Sequence, residues 1–120
     1  MSIVSTEWLS KNHSNVKVID SSWHMPNSGR NGFQEYNKEH IEDSIFFDID
    51  KNSNKKNKLP HMLPEHQEWN KIVSNYGISN SDKIVIYDNS DVLSSFVDSK
   101  YLLGSILDFL ACNNFKLKSL

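Results

Sequence analysis

Apolar positions fall into short blocks separated by longer polar stretches, and the spacing within each block decides the element it predicts. Trp69, Ile72, Val73 and Tyr76 recur at intervals of three and four, which puts one apolar stripe on a helix over 65–76. Gly77 follows at once and supplies the stop. Ser5 or Thr6 is placed to cap an earlier helix reaching Lys11, with Glu7 in its first turn. The runs 16–20, 44–49 and 83–87 are rich in β-branched and aromatic residues, and each predicts a strand. The run from Ser44 to Ile49 is nearly all apolar, as suits a strand covered on both faces. Phe33 to Ile41 predicts a short helix, 26–29 and 31–32 read as turns, and 51–58 as a solvated loop. Strands alternating with helices of this length imply an α/β domain, with a mainly parallel sheet flanked by helices.

The chain of 120 residues suffices for one domain with a real core. A net charge of −2 removes the electrostatic case for nucleic acid or an anionic membrane as partner. Arg30 is the sole arginine, so bidentate phosphate recognition is not expected. Cys112 is the sole cysteine, which excludes an intrachain disulfide and a cysteine-based metal site. Its plain reading is a buried thiol on an apolar helix. The N-terminus lacks the basic start and apolar core of a secretory signal. The longest apolar stretch, 101–112, is too short to span a membrane and contains Gly104, Ser105 and Asp108. These features predict a soluble, cytoplasmic protein.

Candidate chemistry gathers in 45–64. An apolar run delivers Asp48 and Asp50 at its end, and His61 follows eleven residues after Asp50, between Pro60 and Pro64. The two prolines fix their own φ and push Leu59 and Leu63 toward extended conformations, so the loop is shaped around His61 and Met62. A carboxylate beside an imidazole sets its tautomer and raises its basicity, as a proton relay requires. The plainer alternative has Asp50 capping the strand end and His61 bonding within its own loop. Strand alternation would send Asp48 to the same side as Asp50, making it an equal candidate for the outward acid.

Seven segments in order carry a resemblance: Val4 to Leu9, Val18 to Trp23, Gly29 to Ile41, Phe46 to Asp50, His61 to Pro64, Tyr76 to Ser79 and Lys83 to Asp88. Together they resemble the N-terminal half of two-domain rhodaneses, the thiosulfate and 3-mercaptopyruvate sulfurtransferases. The resemblance covers 1–95 and implies a rhodanese-like domain there, incomplete at its C-terminal end. The tail, 96–120, shares none of the family pattern. Within it Ser99 to Asn113 is compatible with a helix and Phe115 to Leu120 with a strand. Either the tail closes the domain approximately, or it results from a frameshift or truncation. Glu42-Asp43-Ser44 stands where the family usually has Pro-Gly-Ala, which predicts a looser turn.

The resemblance also implies a division of labour. The first domain is generally the catalytically silent half, and the persulfide-forming cysteine sits on a loop of the second. The matching position here is Asp88, an acid that cannot carry sulfane sulfur. Asp50 and His61 match positions that, in mercaptopyruvate-type members, reach across to that cysteine and work with a serine of the second domain. Thiosulfate-preferring members tend to be apolar at the His61 position, which tilts the reading toward mercaptopyruvate. The implied reaction moves sulfur from a small-molecule donor through a persulfide to a thiol or cyanide, without metal or organic cofactor. Its implied partner is a second rhodanese domain encoded separately, and the chain alone is expected to be inactive. The rival reading is a non-catalytic binding module or gene remnant; an Asp–His hydrolase lacks any nucleophile in a suitable motif.

The remaining residues have plainer assignments. His40 is expected to bond backbone near the Glu42–Ser44 turn, and Arg30 to brace its loop through Glu35 or Asp20. Trp8, Trp23 and Trp69 are read as core or rim residues. His13, His24 and His66 show no metal-ligand spacing.

Overall fold

A computed structural model describes residues 2–89 and 117–119 of the protein. The elements are β1 (Ser2–Ile3), α1 (Thr6–Asn12), a single 3₁₀ turn (His13–Asn15), β2 (Lys17–Asp20) and α2 (Gly32–Lys38). They continue with β3 (Ile45–Phe46), α3 (Ile49–Asn52), α4 (His66–Asn75), β4 (Ile84–Tyr87) and β5 (Leu117–Ser119). The sheet runs in the order β1-β5-β4-β2-β3, and every pairing among the described strands is parallel. This is the parallel α/β architecture expected from the alternating pattern.

β2 and β4 form its centre, in register from Lys17 opposite Ile84 to Asp20 opposite Tyr87. Successive side chains leave a strand on opposite faces. Ile19, Ile84 and Ile86 therefore pack one way, against Phe47, Trp69, Val73 and Ile78. Val18 and Val85 pack the other way, against Val4 and Leu9. Helix α4 covers the first face and α1 the second. Both central strands are buried on two sides, which is why they read as continuous apolar runs.

The helix ends follow local chemistry. The Ser5 hydroxyl accepts the Trp8 N–H at 3.1 Å and starts α1. The Asn31 side chain accepts the Gln34 N–H at 2.9 Å and starts α2. Helix α4 ends with Gly77 at φ 69°, Gly77 N–H on Ser74 O at 2.9 Å and Ile78 N–H on Val73 O at 3.1 Å. That is a Schellman stop, sealed by contact within the core cluster that holds both Val73 and Ile78.

Two expectations require correction. The strand foreseen over 44–49 is only Ile45–Phe46, an edge strand of intermediate burial. Its partner β2 ends at Asp20, opposite Phe46, and Phe47 N–H to Asp20 O at 2.8 Å is the last rung. Beyond it the Asp48 carboxylate accepts the Lys51 N–H at 3.0 Å and converts the chain to helix α3. Asp48 is thus a cap and does not share a strand face with Asp50. Helix α2 also stops at Lys38, short of Ile41.

The 42–44 turn is tied, contrary to the looseness expected. Asp43 adopts φ 57°, Ser44 N–H reaches Ile41 O at 2.9 Å, and the Tyr36 hydroxyl donates to Ser44 O at 2.6 Å. His13, and not His40, supplies the histidine contact, its Nε2 donating to Glu42 O at 2.6 Å. His40 instead donates from Nδ1 to Tyr36 O at 2.6 Å and stacks on that ring. Cys112 and the helix foreseen over 99–113 lie outside the described residues.

Candidate functional site at the carboxyl edge of the sheet

Because β2, β3 and β4 are parallel and end in register, the segments after Asp20, Phe46 and Tyr87 all leave from one edge. In open parallel sheets this edge is where ligand sites are built. The buried Asp20 carboxylate accepts the Ser22 N–H at 2.9 Å and turns the chain out of β2. The Ser22 hydroxyl in turn accepts the Asn89 N–H at 2.8 Å, joining this segment to the one after β4. Trp23 follows on that anchored backbone.

Asp50 lies in the first turn of α3, two residues past its cap Asp48. The loop beyond is closed by Asn54 N–H to Met62 O at 2.6 Å, and the Lys55 ammonium binds the Asp50 carbonyl. His61 takes the left-handed conformation, φ 56°, and Pro64 behind it is buried. The outcome is a three-residue cluster. His61 Nε2 lies 2.7 Å from Asp50 Oδ1, and Trp23 Nε1–H donates to Asp50 Oδ2 at 3.0 Å. The Trp23 and His61 rings meet edge to face, 5.1 Å between centroids at 80°. An ionised carboxylate only accepts, so the proton of the shared bond belongs to Nε2 and the His61 Nδ1 lone pair is left for other partners.

A cleft of about 330 Å³ opens beside this cluster, lined by Trp23, Arg30, Phe33, Asp48 and Asp50 among others. Asp48, though a cap, thus also faces the cleft. A second cleft of about 600 Å³ lies along the same edge and includes Asp88, Tyr87 and Glu35. Between them runs an ionic brace. Arg30 Nε and Nη2 grip Glu35 Oε1 and Oε2 at 2.7 and 2.9 Å, and Nη2 also reaches the Asn89 carbonyl at 3.2 Å. His24 adds an Nε2 contact to Glu35 Oε2 at 3.0 Å. The Arg30 hydrogen bonds hold the Glu35 carboxyl down to about 2, against the opposing effect of desolvation. Burial raises the Tyr87 hydroxyl, which lies against Ser44 and Ile41 N–H.

The structure therefore brings Asp50 and His61 together. Asp88 stands apart from them, in the segment after β4 beside the braced Asn89. Arg30 chose Glu35, not Asp20. Trp69 is core and Trp8 packs against the second core cluster. Trp23 and His24 are the residues that reading the sequence undervalued; their position just past a strand's carboxyl end was the available signal. Among the described residues no group of His, Cys, Asp and Glu is arranged to hold a metal ion. Among them, too, no helix is long and apolar enough to cross a membrane.

Comparison with known proteins adds an independent line. The family model for the rhodanese-like domain matches residues 5–105. The mitochondrial thiosulfate/3-mercaptopyruvate sulfurtransferase 1 of Arabidopsis thaliana is 41% identical over 95 residues, covering 78% of this chain and 25% of its own. The 3-mercaptopyruvate sulfurtransferase of Mus musculus is 33% identical over 95 residues, covering 74% and 32%. Among solved structures, SseA from Escherichia coli superposes with a TM-score of 0.68 at 29% identity, over 74% of this chain and 36% of that one. The sulfur transferase subunit of yeast mitochondrial complex I gives 0.81 at 28% identity, over 99% and 38%. The chain thus spans 25% to 32% of the length of these two curated relatives.

Proposed function

The chain belongs to the rhodanese-like domain family, and from that premise we propose that it is the half of a 3-mercaptopyruvate-type sulfurtransferase that lacks the persulfide cysteine. Its Asp50–His61 pair serves a cysteine carried by a second rhodanese domain. The observation that carries this reading is the 2.7 Å contact between His61 Nε2 and Asp50 Oδ1 at the carboxyl edge of the sheet. The similarity to 3-mercaptopyruvate sulfurtransferases supports the substrate class, and Asp88 at the loop after β4 supports an external nucleophile.

The chemistry follows from the free Nδ1 of His61. It takes the proton of the second domain's cysteine, and Asp50 stabilises the imidazolium that forms. The thiolate attacks the sulfur of 3-mercaptopyruvate and the carbon–sulfur bond breaks toward the substrate. The resulting enolate of pyruvate takes the proton back from His61, while the cysteine keeps the transferred sulfur and its hydrogen as a persulfide. A thiol or cyanide then removes the sulfur. This acceptor chemistry suits the cytoplasm, where reduced thiols are plentiful, and cell fractionation tests that location.

The test is to supply a cysteine-bearing rhodanese domain to the purified chain and follow pyruvate release with a dithiol acceptor. The chain alone should show no turnover, and the mixture should turn over in a way His61→Ala abolishes. Turnover by the chain alone that survives Cys112→Ser would overturn the account of the missing nucleophile. Binding of the second domain with rates indifferent to Asp50→Ala and His61→Ala would favour a non-catalytic module.

A further inference from the structure

We propose that Trp23 is a positioning residue for the Asp50–His61 pair, its indole N–H holding one carboxylate oxygen so that the other stays on the imidazole. The inference rests on the reading that this pair moves a proton, and it names what keeps the pair assembled.

The need for such a residue is physical. The Asp50 side chain is 65% exposed, and it projects from a helix of only four residues. Ion pairs this open contribute little, because water competes for the carboxylate and its rotamers are costly to fix. His61 sits on a loop of its own. Neither partner is held by the sheet.

Trp23 is. Ser22 before it is 4% exposed and is bonded on both sides, by its own N–H to Asp20 and by its hydroxyl from Asn89. The rigidity of β2 and β4 thus extends to within one residue of the indole. From there the indole acts twice on the pair. Its N–H takes Asp50 Oδ2 at 3.0 Å, leaving Oδ1 directed at His61 Nε2. Its ring meets His61 at 5.1 Å and 80°, and the imidazole side chain is only 19% exposed. One carboxylate therefore bridges two ring N–H donors, and only one of those donors stands on backbone tied to the sheet. A hydrogen bond to a charged group is stronger than a neutral one.

The experiment measures carbethoxylation of His61 by diethyl pyrocarbonate in the 120-residue chain, with peptide mass spectrometry to separate the histidines. Asp50→Ala should slow His61 modification several-fold, because the free Nδ1 loses the carboxylate support that Nε2–H relays to it. Trp23→Phe, which keeps a ring and removes the N–H, should slow it several-fold as well. The decisive case is the double variant: if Trp23 acts through Asp50, it should react no more slowly than Asp50→Ala alone. A Trp23→Phe rate equal to wild type, or an effect that adds in full to Asp50→Ala, would reduce Trp23 to a steric shield and overturn the proposal. An unchanged rate in Asp50→Ala would instead remove the pair itself, and the proposed function with it. Circular dichroism checks that each variant folds; should Trp23→Phe fail, Trp23→Leu, which also lacks a donor, carries the same comparison. With Trp23 kept, its indole N–H resonance should move on Asp50→Ala, and its failure to move would also overturn the proposal.

Discussion

His61 meets Asp50 at 2.7 Å from a left-handed backbone, φ 56°, that side chains other than glycine's rarely adopt. Such a conformation costs a non-glycine residue about 1–2 kcal/mol, and cases of it cluster where geometry serves function. Strain and chemistry should therefore separate by substitution. His61→Gly should leave the stability of the chain within about 1 kcal/mol of wild type, since it relieves the backbone as it removes the ring. His61→Ala keeps the strain and should be the less stable of the two, as urea unfolding would show. Both should lower the rate of the complete enzyme to the same extent.

In an enzyme completed by a cysteine-bearing domain, Asp50→Ala and His61→Ala should each lower the rate by roughly 10²–10⁴-fold. The double variant should be little worse than either, because members of one relay do not contribute independently. His61→Ala should hurt turnover of 3-mercaptopyruvate more than that of thiosulfate. Steady-state rates for the four proteins decide it, and near-wild-type rates for both single variants would reduce the pair to loop architecture.

The Glu35 brace predicts a pH dependence of stability. Its carboxyl is lowered from 4.5 to about 2, chiefly by the Arg30 hydrogen bonds. The contribution is thus complete above about 4.5 and is lost as pH falls from there toward about 2. Urea midpoints of wild type and Glu35→Gln should differ most near neutral pH and converge in acid. A gap that stays constant through this range would show that the brace is not ionic.

Gly32 and Asp43 should respond oppositely to exchange. A Cβ on Gly32 would sit against the Ser22 carbonyl, closer than real side chains approach backbone. Gly32→Ala should cost about 1–3 kcal/mol through overpacking. It should also loosen the Trp23 segment. Asp43, at φ 57°, should accept glycine and gain up to about 1 kcal/mol. Thermal unfolding of both variants gives the sign directly.

Trp69 is 3% exposed and centres the α4 face of the core, whereas Leu59 is 63% exposed. Trp69→Ala should cost about 3–5 kcal/mol, and Leu59→Ser less than about 0.5 kcal/mol. Equilibrium denaturation checks both.

The elements that sequence determined are those whose signals are local. Helix α4 announces itself by the spacing of Trp69, Ile72, Val73 and Tyr76 and by Gly77, which need only 3.6-residue periodicity and a left-handed stop. β2 and β4 are legible because burial on two faces demands unbroken apolar side chains. The loop around His61 is marked by its prolines, and the order of family segments was enough to draw Asp50 and His61 together. Tertiary structure alone decided where β3 stops, because a strand lasts only as long as its partner and β2 ends at Asp20. It decided that Asp48 caps a helix, that Arg30 grips Glu35 and Asn89, and that His13, not His40, holds the 42–44 turn. It also placed Trp23 on Asp50, 27 residues away in sequence. The reason is common to all of these: each is a contact between segments brought to one sheet edge by parallel pairing, and no local pattern records which neighbour the fold will supply.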